Sequence, residues 1–199
     1  LTVPCSAVAG IQYHCLTISA FVLAQTNRAL IISIGTYPII SGWEKIHADN
    51  DKGLVTELLL NNQYQSRNIK VLSNAQATKK AVTAAFQQCW EQTVYGDFIY
   101  LHFSCHGQQM MDDNGDEEDG LDESLVLYDA GYWYIPGKYE GENHLRDDEL
   151  GIWINKLRKK AGDKGQVTMV LDACHSGTGN RDNGVNDYIR GASAIFEIG

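Results

Sequence analysis

The chain has 199 residues, a length that suits one domain with a sizeable core. Its net charge of -9 excludes nucleic acid as a main partner, because phosphate binding needs clustered Lys and Arg. The acidity is compatible with a cationic substrate and equally with solubility alone. Five cysteines (Cys5, Cys15, Cys89, Cys105 and Cys174) fall at irregular spacing with no C-x-x-C pair, which fits neither a disulfide framework nor a zinc ribbon.

In chain order, "LTISAFVLAQ" (16–25) is apolar and ends in small residues, and Val22 and Ala24 fit a cleavage site before Gln25. Residues 1–15 carry no Lys or Arg and the chain starts with Leu, so residues 1–25 read as a signal peptide or as a disordered leader. Export to the periplasm or medium is the expectation and a cytoplasmic location the alternative. The run is too short to span a membrane. "RALIISIGTY" (28–37) reads as a strand buried on both faces. "DNDKGLVTELLLNNQ" (49–63) has early acids and helical apolar spacing, and "NIKVLSN" (68–74) is a short strand. "ATKKAVTAAFQQCWEQT" (77–93) is a helix with Thr78 as N-cap. "DFIYLHFSCHG" (97–107) is a third strand, and "ESLVLYDA" (123–130) a short one after an acidic loop, "MDDNGDEEDGLDE" (111–123). "RDDELGIWINKLRKKAG" (146–162) is a helix with acids first and bases last, and "GQVTMVLDACHSG" (165–177) contains a buried strand. The alternation predicts an α/β fold with a parallel sheet and helices on both faces.

In such sheets, sites form at the carboxyl ends of strands. Two predicted strands end in reactive residues, His106 in "FSCHG" and Cys174 in "LDACHSG". Neighbouring strands would bring imidazole and thiol together, and a nearby imidazole turns a mostly protonated thiol into a nucleophile. Gly107 permits close backbone approach, and the amides of Gly107 and Cys174 form a candidate oxyanion hole. Cys105 and His175, each beside a candidate, point to the opposite face and read as structural. His102 reads as a satisfied core histidine.

"SCHG", the acidic "DGLDE" loop, "DDEL" at a helix start and "DACHSG", in this order, resemble the caspase-like cysteine peptidases of clan CD, family C14, most closely the metacaspases and their bacterial relatives, the orthocaspases. The resemblance covers Arg28 to Asn183, with the two motifs roughly seventy residues apart. It implies a three-layer α/β/α sandwich with a mostly parallel sheet over residues 28–199, the small-subunit part of that fold being absent. It also implies peptide hydrolysis through a thioester, with His106 as general acid/base and Cys174 as nucleophile. No cofactor is required for that chemistry.

Metacaspases cut after Arg or Lys. By resemblance Asp172 is the acidic pocket residue, Ser104 a further pocket position, and "ADND" (48–51) supplies a second acid, Asp51, with Ala48 where the family usually has cysteine. Two carboxylates suit a guanidinium. The alternatives are a helix-start acid for Asp51 and a structural role for Asp172. Some metacaspases bind calcium through scattered aspartates. Asp122, Asp147 and Asp148 match three of them and Asp182 is the fourth candidate, although the loop fails the EF-hand pattern because Glu117 stands at its required glycine. The alternative is a solvated loop with Asp147 and Asp148 capping a helix. Arg181 is the self-cleavage candidate. Expected partners are protein or peptide substrates with Arg or Lys at the cut position, acting on a monomer. Two other classes stay open: a non-catalytic caspase-like scaffold or fragment needing a partner chain, and a metal enzyme using His102, His106, Cys174 and His175.

Overall fold

The computed structural model describes residues 25–115, 117–173 and 195–196. The leader, Cys174, His175, Arg181 and Asp182 lie outside the described residues. Four parallel strands form the central sheet: β1 (Asn27–Ser33), β2 (Ile69–Ser73), β3 (Phe98–Ser104) and, numbered in chain order after three shorter strands, β7 (Gln166–Asp172). Their order is β2-β1-β3-β7. α1 (Asp51–Asn61) covers one face, where Ala29 and Ile31 of β1 pack with Val55 and Leu59. α2 (Lys79–Gln92) and α3 (Asp147–Ala161) cover the other. There Leu30 and Ile32 meet a core containing Phe86, Leu101, Phe103, Trp153 and Leu157. This is the α/β/α sandwich expected from the alternation of elements. An apolar residue at every position of β1 from Ala29 to Ile32 serves both faces at once.

The helices start and stop for local reasons. Thr78 caps α2, its hydroxyl accepting from the Ala81 amide at 3.3 Å. α3 carries Asp147, Asp148 and Glu149 in its first turn and Arg158, Lys159 and Lys160 in its last, the charge order its dipole favours. Lys160 Nζ lies over the Trp90 ring and donates to the Glu91 carbonyl at 2.9 Å, tying the end of α3 to the last turn of α2.

Four expectations are corrected. The third strand is not continuous over 97–107: it ends at Ser104, and after Cys105 and His106 the chain enters a second, antiparallel sheet. That sheet has the order β4 (Gly107–Met111), β5 (Leu121–Val126) and β6 (His144–Arg146). The acidic loop is therefore shorter than 111–123, spanning the hairpin from Met111 to Leu121 and leaving Asp122 and Glu123 in a strand. The strand expected over 123–130 ends at Val126. Finally, β7 is not buried on both faces: Val170 and Leu171 are 37% and 43% exposed, because β7 is the edge strand among the described residues. The chain returns at Phe196, whose amide donates to the Gln109 carbonyl at 2.9 Å beside β4. Its ring fills a pocket of Tyr134, Tyr139 and His144.

Candidate active site

In the strand order the chain steps from β1 to β2 on one side and to β3 on the other, so the crevice at the carboxyl ends of β1 and β3 is the place where a parallel sheet leaves room for a ligand. Ser33, Ser104 and Asp172 are in register there, at the ends of β1, β3 and β7. The chain beyond β1 is pinned from two sides. Gly35 and Thr36 amides donate to Asn74 Oδ1 at 2.8 and 3.1 Å, and the Ile46 amide donates back to the Gly35 carbonyl at 2.9 Å. A Cβ on Gly35 would stand 2.8 Å from the Ile46 carbonyl oxygen, so only glycine fits this close approach. The Ser33 hydroxyl donates to the Ala48 carbonyl at 2.8 Å, which fixes the turn leading into α1. Ala48 itself is fully buried.

That turn delivers Asp51 to the sheet edge. Ser104 Oγ donates to Asp51 Oδ2 at 2.5 Å and lies 3.4 Å from Asp172 Oδ2. One fully buried hydroxyl is thus bracketed by two half-buried carboxylates, brought from a helix start and from a strand end more than a hundred residues later. The structure unites all three pocket residues named from the sequence. Two carboxylates on one hydroxyl, which has a single proton to give, leave acceptor capacity for a cationic group.

His106 is 3% exposed and its position is set by four groups. Its amide donates to the Tyr37 hydroxyl at 3.1 Å, and that hydroxyl donates to the Val126 carbonyl, also at 3.1 Å. Burial raises the Tyr37 pKa well above its ordinary value, which keeps the phenol a donor. The His106 carbonyl accepts from the Val126 amide at 2.9 Å. His106 Nε2 lies 2.9 Å from the Glu44 carbonyl oxygen. A carbonyl only accepts, so Nε2 carries the proton and, in the neutral ring, Nδ1 is the basic nitrogen. The ring is flanked by Trp43, stacked with centroids 5.0 Å apart, and by Tyr37 at 5.3 Å. Tyr37, Trp43 and the Glu44 carbonyl went unnoticed in the sequence. The residue beyond a strand end carries no pattern that announces a contact with a histidine sixty residues away.

Gly107 is buried at the start of β4, directly after His106. Cys105 is buried in the main core, and His102 is buried within β3. The break after Ser104 puts His102 and His106 in separate segments rather than on one extended strand.

The acidic residues divide differently from the expected set. Asp112, Asp113 and Asp122 bring carboxylate oxygens within 4.8 Å of one another. Arg146 already pairs with Asp122 and stands 3.4 Å from Asp113. Asp112 accepts amides of Gly115, Asn114 and Glu117, which hold its carboxyl below the usual carboxylate range. Burial pushes the Asp122 carboxyl upward, against the pull of Arg146. Asp148 receives the Asn114 side-chain amide, and Asp147 accepts the Asp148 amide at 3.0 Å. Among the described residues, Asp122, Asp147 and Asp148 do not converge, and Asp182 lies outside them. The Arg146 guanidinium is the cationic partner of Asp122 in this structure.

The family described as metacaspase, peptidase C14 domain, matches residues 28–180. Metacaspase-1A of Aspergillus oryzae is 30% identical over 160 residues, covering 77% of this chain and 35% of its own length. Metacaspase-1 of Saccharomyces cerevisiae is 31% identical over 161 residues, covering 77% of this chain and 34% of its own. The chain therefore spans about a third of the length of these relatives. A crystal structure of a Geobacter sulfurreducens protein superposes with a TM-score of 0.58 at 25% identity, covering 77% of this chain and 52% of that one.

Proposed function

The chain belongs to the metacaspase family of cysteine-type peptidases, and from that premise we propose that it cleaves peptide bonds after Arg or Lys with Cys174 as nucleophile and His106 as general acid/base. The observation that carries the basic specificity is the Ser104 hydroxyl bracketed by Asp51 and Asp172 at the sheet edge where His106 also sits. A substrate guanidinium or ammonium pairs with both carboxylates, of which the serine proton can satisfy only one at a time.

The reaction follows from the tautomer of His106. Nδ1 takes the proton of the Cys174 thiol, and the thiolate attacks the carbonyl carbon of the scissile bond. The oxyanion is met by the amides of Gly107 and Cys174. The imidazolium then gives its proton to the departing amine, leaving a thioester. Water attacks the thioester carbonyl, His106 accepts its proton, and the carboxylic product leaves as the thiol is restored. Throughout, the Glu44 carbonyl holds Nε2–H and stabilises the positive ring.

Self-cleavage after Arg181 is proposed on the same specificity. Calcium enters only as an activator. Asp112, Asp113 and Asp122, whose carboxylate oxygens lie within 4.8 Å of one another with Arg146 paired to Asp122, are the described carboxylates nearest to such a role, and no step runs through a metal. Among the described residues no helix is long and apolar enough to cross a membrane. The deciding experiment is hydrolysis of fluorogenic peptides ending in Arg, Lys or Asp, with calcium and with chelator, beside Cys174→Ala. Cleavage after Arg or Lys that vanishes in the variant is expected. Cleavage after Asp alone would overturn the assignment of Asp51 and Asp172, and activity persisting in Cys174→Ala would overturn the dyad.

A further inference from the structure

We infer that Trp43 is a positioning residue for the general base: its indole face holds the His106 imidazole in orientation and stabilises the ring when it carries positive charge. The inference rests on the peptidase reading for its kinetic consequence but not for its physical content.

The geometry is specific. Trp43 is 7% exposed and its ring lies 5.0 Å from that of His106, with planes inclined by 29°. Tyr132 also packs against the indole, with ring centroids 4.8 Å apart. The Tyr132 amide donates to the Ser41 carbonyl at 2.8 Å, two residues before Trp43, and Val126 and Ala130 complete the apolar seat. The indole thus contacts both a fixed aromatic and the histidine. Its N–H finds no acceptor among the described residues, although the atom is buried. A buried tryptophan usually pairs its N–H. What the described contacts with His106 use is the π face.

The next residue explains the second half. Glu44 supplies the carbonyl that fixes Nε2–H, so one short segment presents both an in-plane acceptor and a stacking face to the same imidazole. The acceptor sets which nitrogen is basic, and the stack restrains ring rotation about the bond to Cβ. The face of an indole also attracts a cation, so the arrangement favours the imidazolium formed when His106 takes the thiol proton. Among the described residues, the titratable side chain in ring contact with His106 is Tyr37, and Glu44 meets the ring through its backbone. Tyr37 stays neutral through the working range, so it does not confound a titration of His106.

The test uses the full chain in two backgrounds. In Cys174→Ala, NMR titration of the His106 ring is followed with Trp43, Trp43→Leu and Trp43→Phe. Trp43→Leu keeps apolar bulk without a π face and is expected to move the titration midpoint to lower pH by roughly half a unit, with Trp43→Phe moving it less. With Cys174 intact, Trp43→Leu is expected to lower kcat about tenfold or more while KM changes little, the limb of the pH profile set by His106 moving in the same direction. Trp43→Phe restores most of the rate. Midpoints equal to wild type in both variants overturn the inference, as does a Phe variant no better than Leu. Should the chain cleave nothing, the peptidase reading fails, yet the titration still decides the role of Trp43. Should Trp43→Leu fail to fold, the wild-type spectrum decides: a His106 ring proton without an upfield ring-current shift from a stacked indole overturns the inference.

Discussion

At the residue scale the chemistry is carried by small numbers of exact partners. The Asp51–Ser104–Asp172 bracket makes a sharp prediction: Asp172→Asn, which removes one charge and keeps the shape, should lower kcat/KM on Arg peptides by roughly ten- to a hundredfold, as expected for one charged hydrogen bond. Peptide kinetics check it, and an unchanged constant would remove Asp172 from the pocket. His144 makes a different one. It is 1% exposed, accepts from the Tyr139 hydroxyl at Nδ1 and donates to Gln108 Oε1 from Nε2, each at 2.9 Å. Burial, then Arg146 and Lys79, lower its pKa from 6.5 to about 3. The unfolded chain therefore binds a proton below 6.5 that the folded one refuses, and stability falls as pH drops from 6.5 towards 3. The slope from this group is roughly 1.4 kcal/mol per pH unit. Urea unfolding of wild type and His144→Gln across that range should show curves that diverge in this sense; parallel curves would refute it.

At the element scale the far end of the sheet is held by one side chain. Asp97 is fully buried and accepts the Thr26 amide at 2.8 Å, Arg28 Nε at 2.9 Å and the Val94 amide at 3.0 Å, so it joins the start of β1 to the start of β3. Removing it strands a half-buried guanidinium and two amides. Asp97→Ala should cost about 3–5 kcal/mol in chemical unfolding, and a loss below 1 kcal/mol would contradict this account. The elements differed in how plainly they could be read. β1, β3, α2 and α3 carry continuous apolar runs or capped helical periodicity, and they appear within a few residues of expectation. β4 and β6 do not. "GQQMM" buries Gln108 and Met110 while leaving Met111 exposed, and the buried glutamine hides the alternation because its polarity is met by His144 and the Tyr132 carbonyl. "HLR" is three residues long and merges into the helix that follows.

At the scale of the whole molecule, a net charge of -9 together with the two carboxylates of the proposed pocket is expected to attract a cationic peptide from a distance. Raising ionic strength from about 0.01 M to 0.15 M shortens the screening length from about 30 to 8 Å, and kcat/KM on Arg peptides should fall several-fold while kcat holds. Stopped-flow or steady-state kinetics read this directly, and a salt-independent kcat/KM would argue against steering. The sequence by itself determined the layer architecture, because apolar periodicity is a local property of each segment. It also singled out His106 and Cys174, since reactive residues at the ends of apolar strands stand out from their surroundings, whereas Asp51, Ser104 and Asp172 were named through the family resemblance. Only the tertiary structure decided that Ser104 lies between the two carboxylates, that Glu44 fixes the proton on Nε2, and that Trp43 lies against the imidazole. Those contacts join segments tens of residues apart, and their geometry is set by strand order and loop path, which no local pattern encodes.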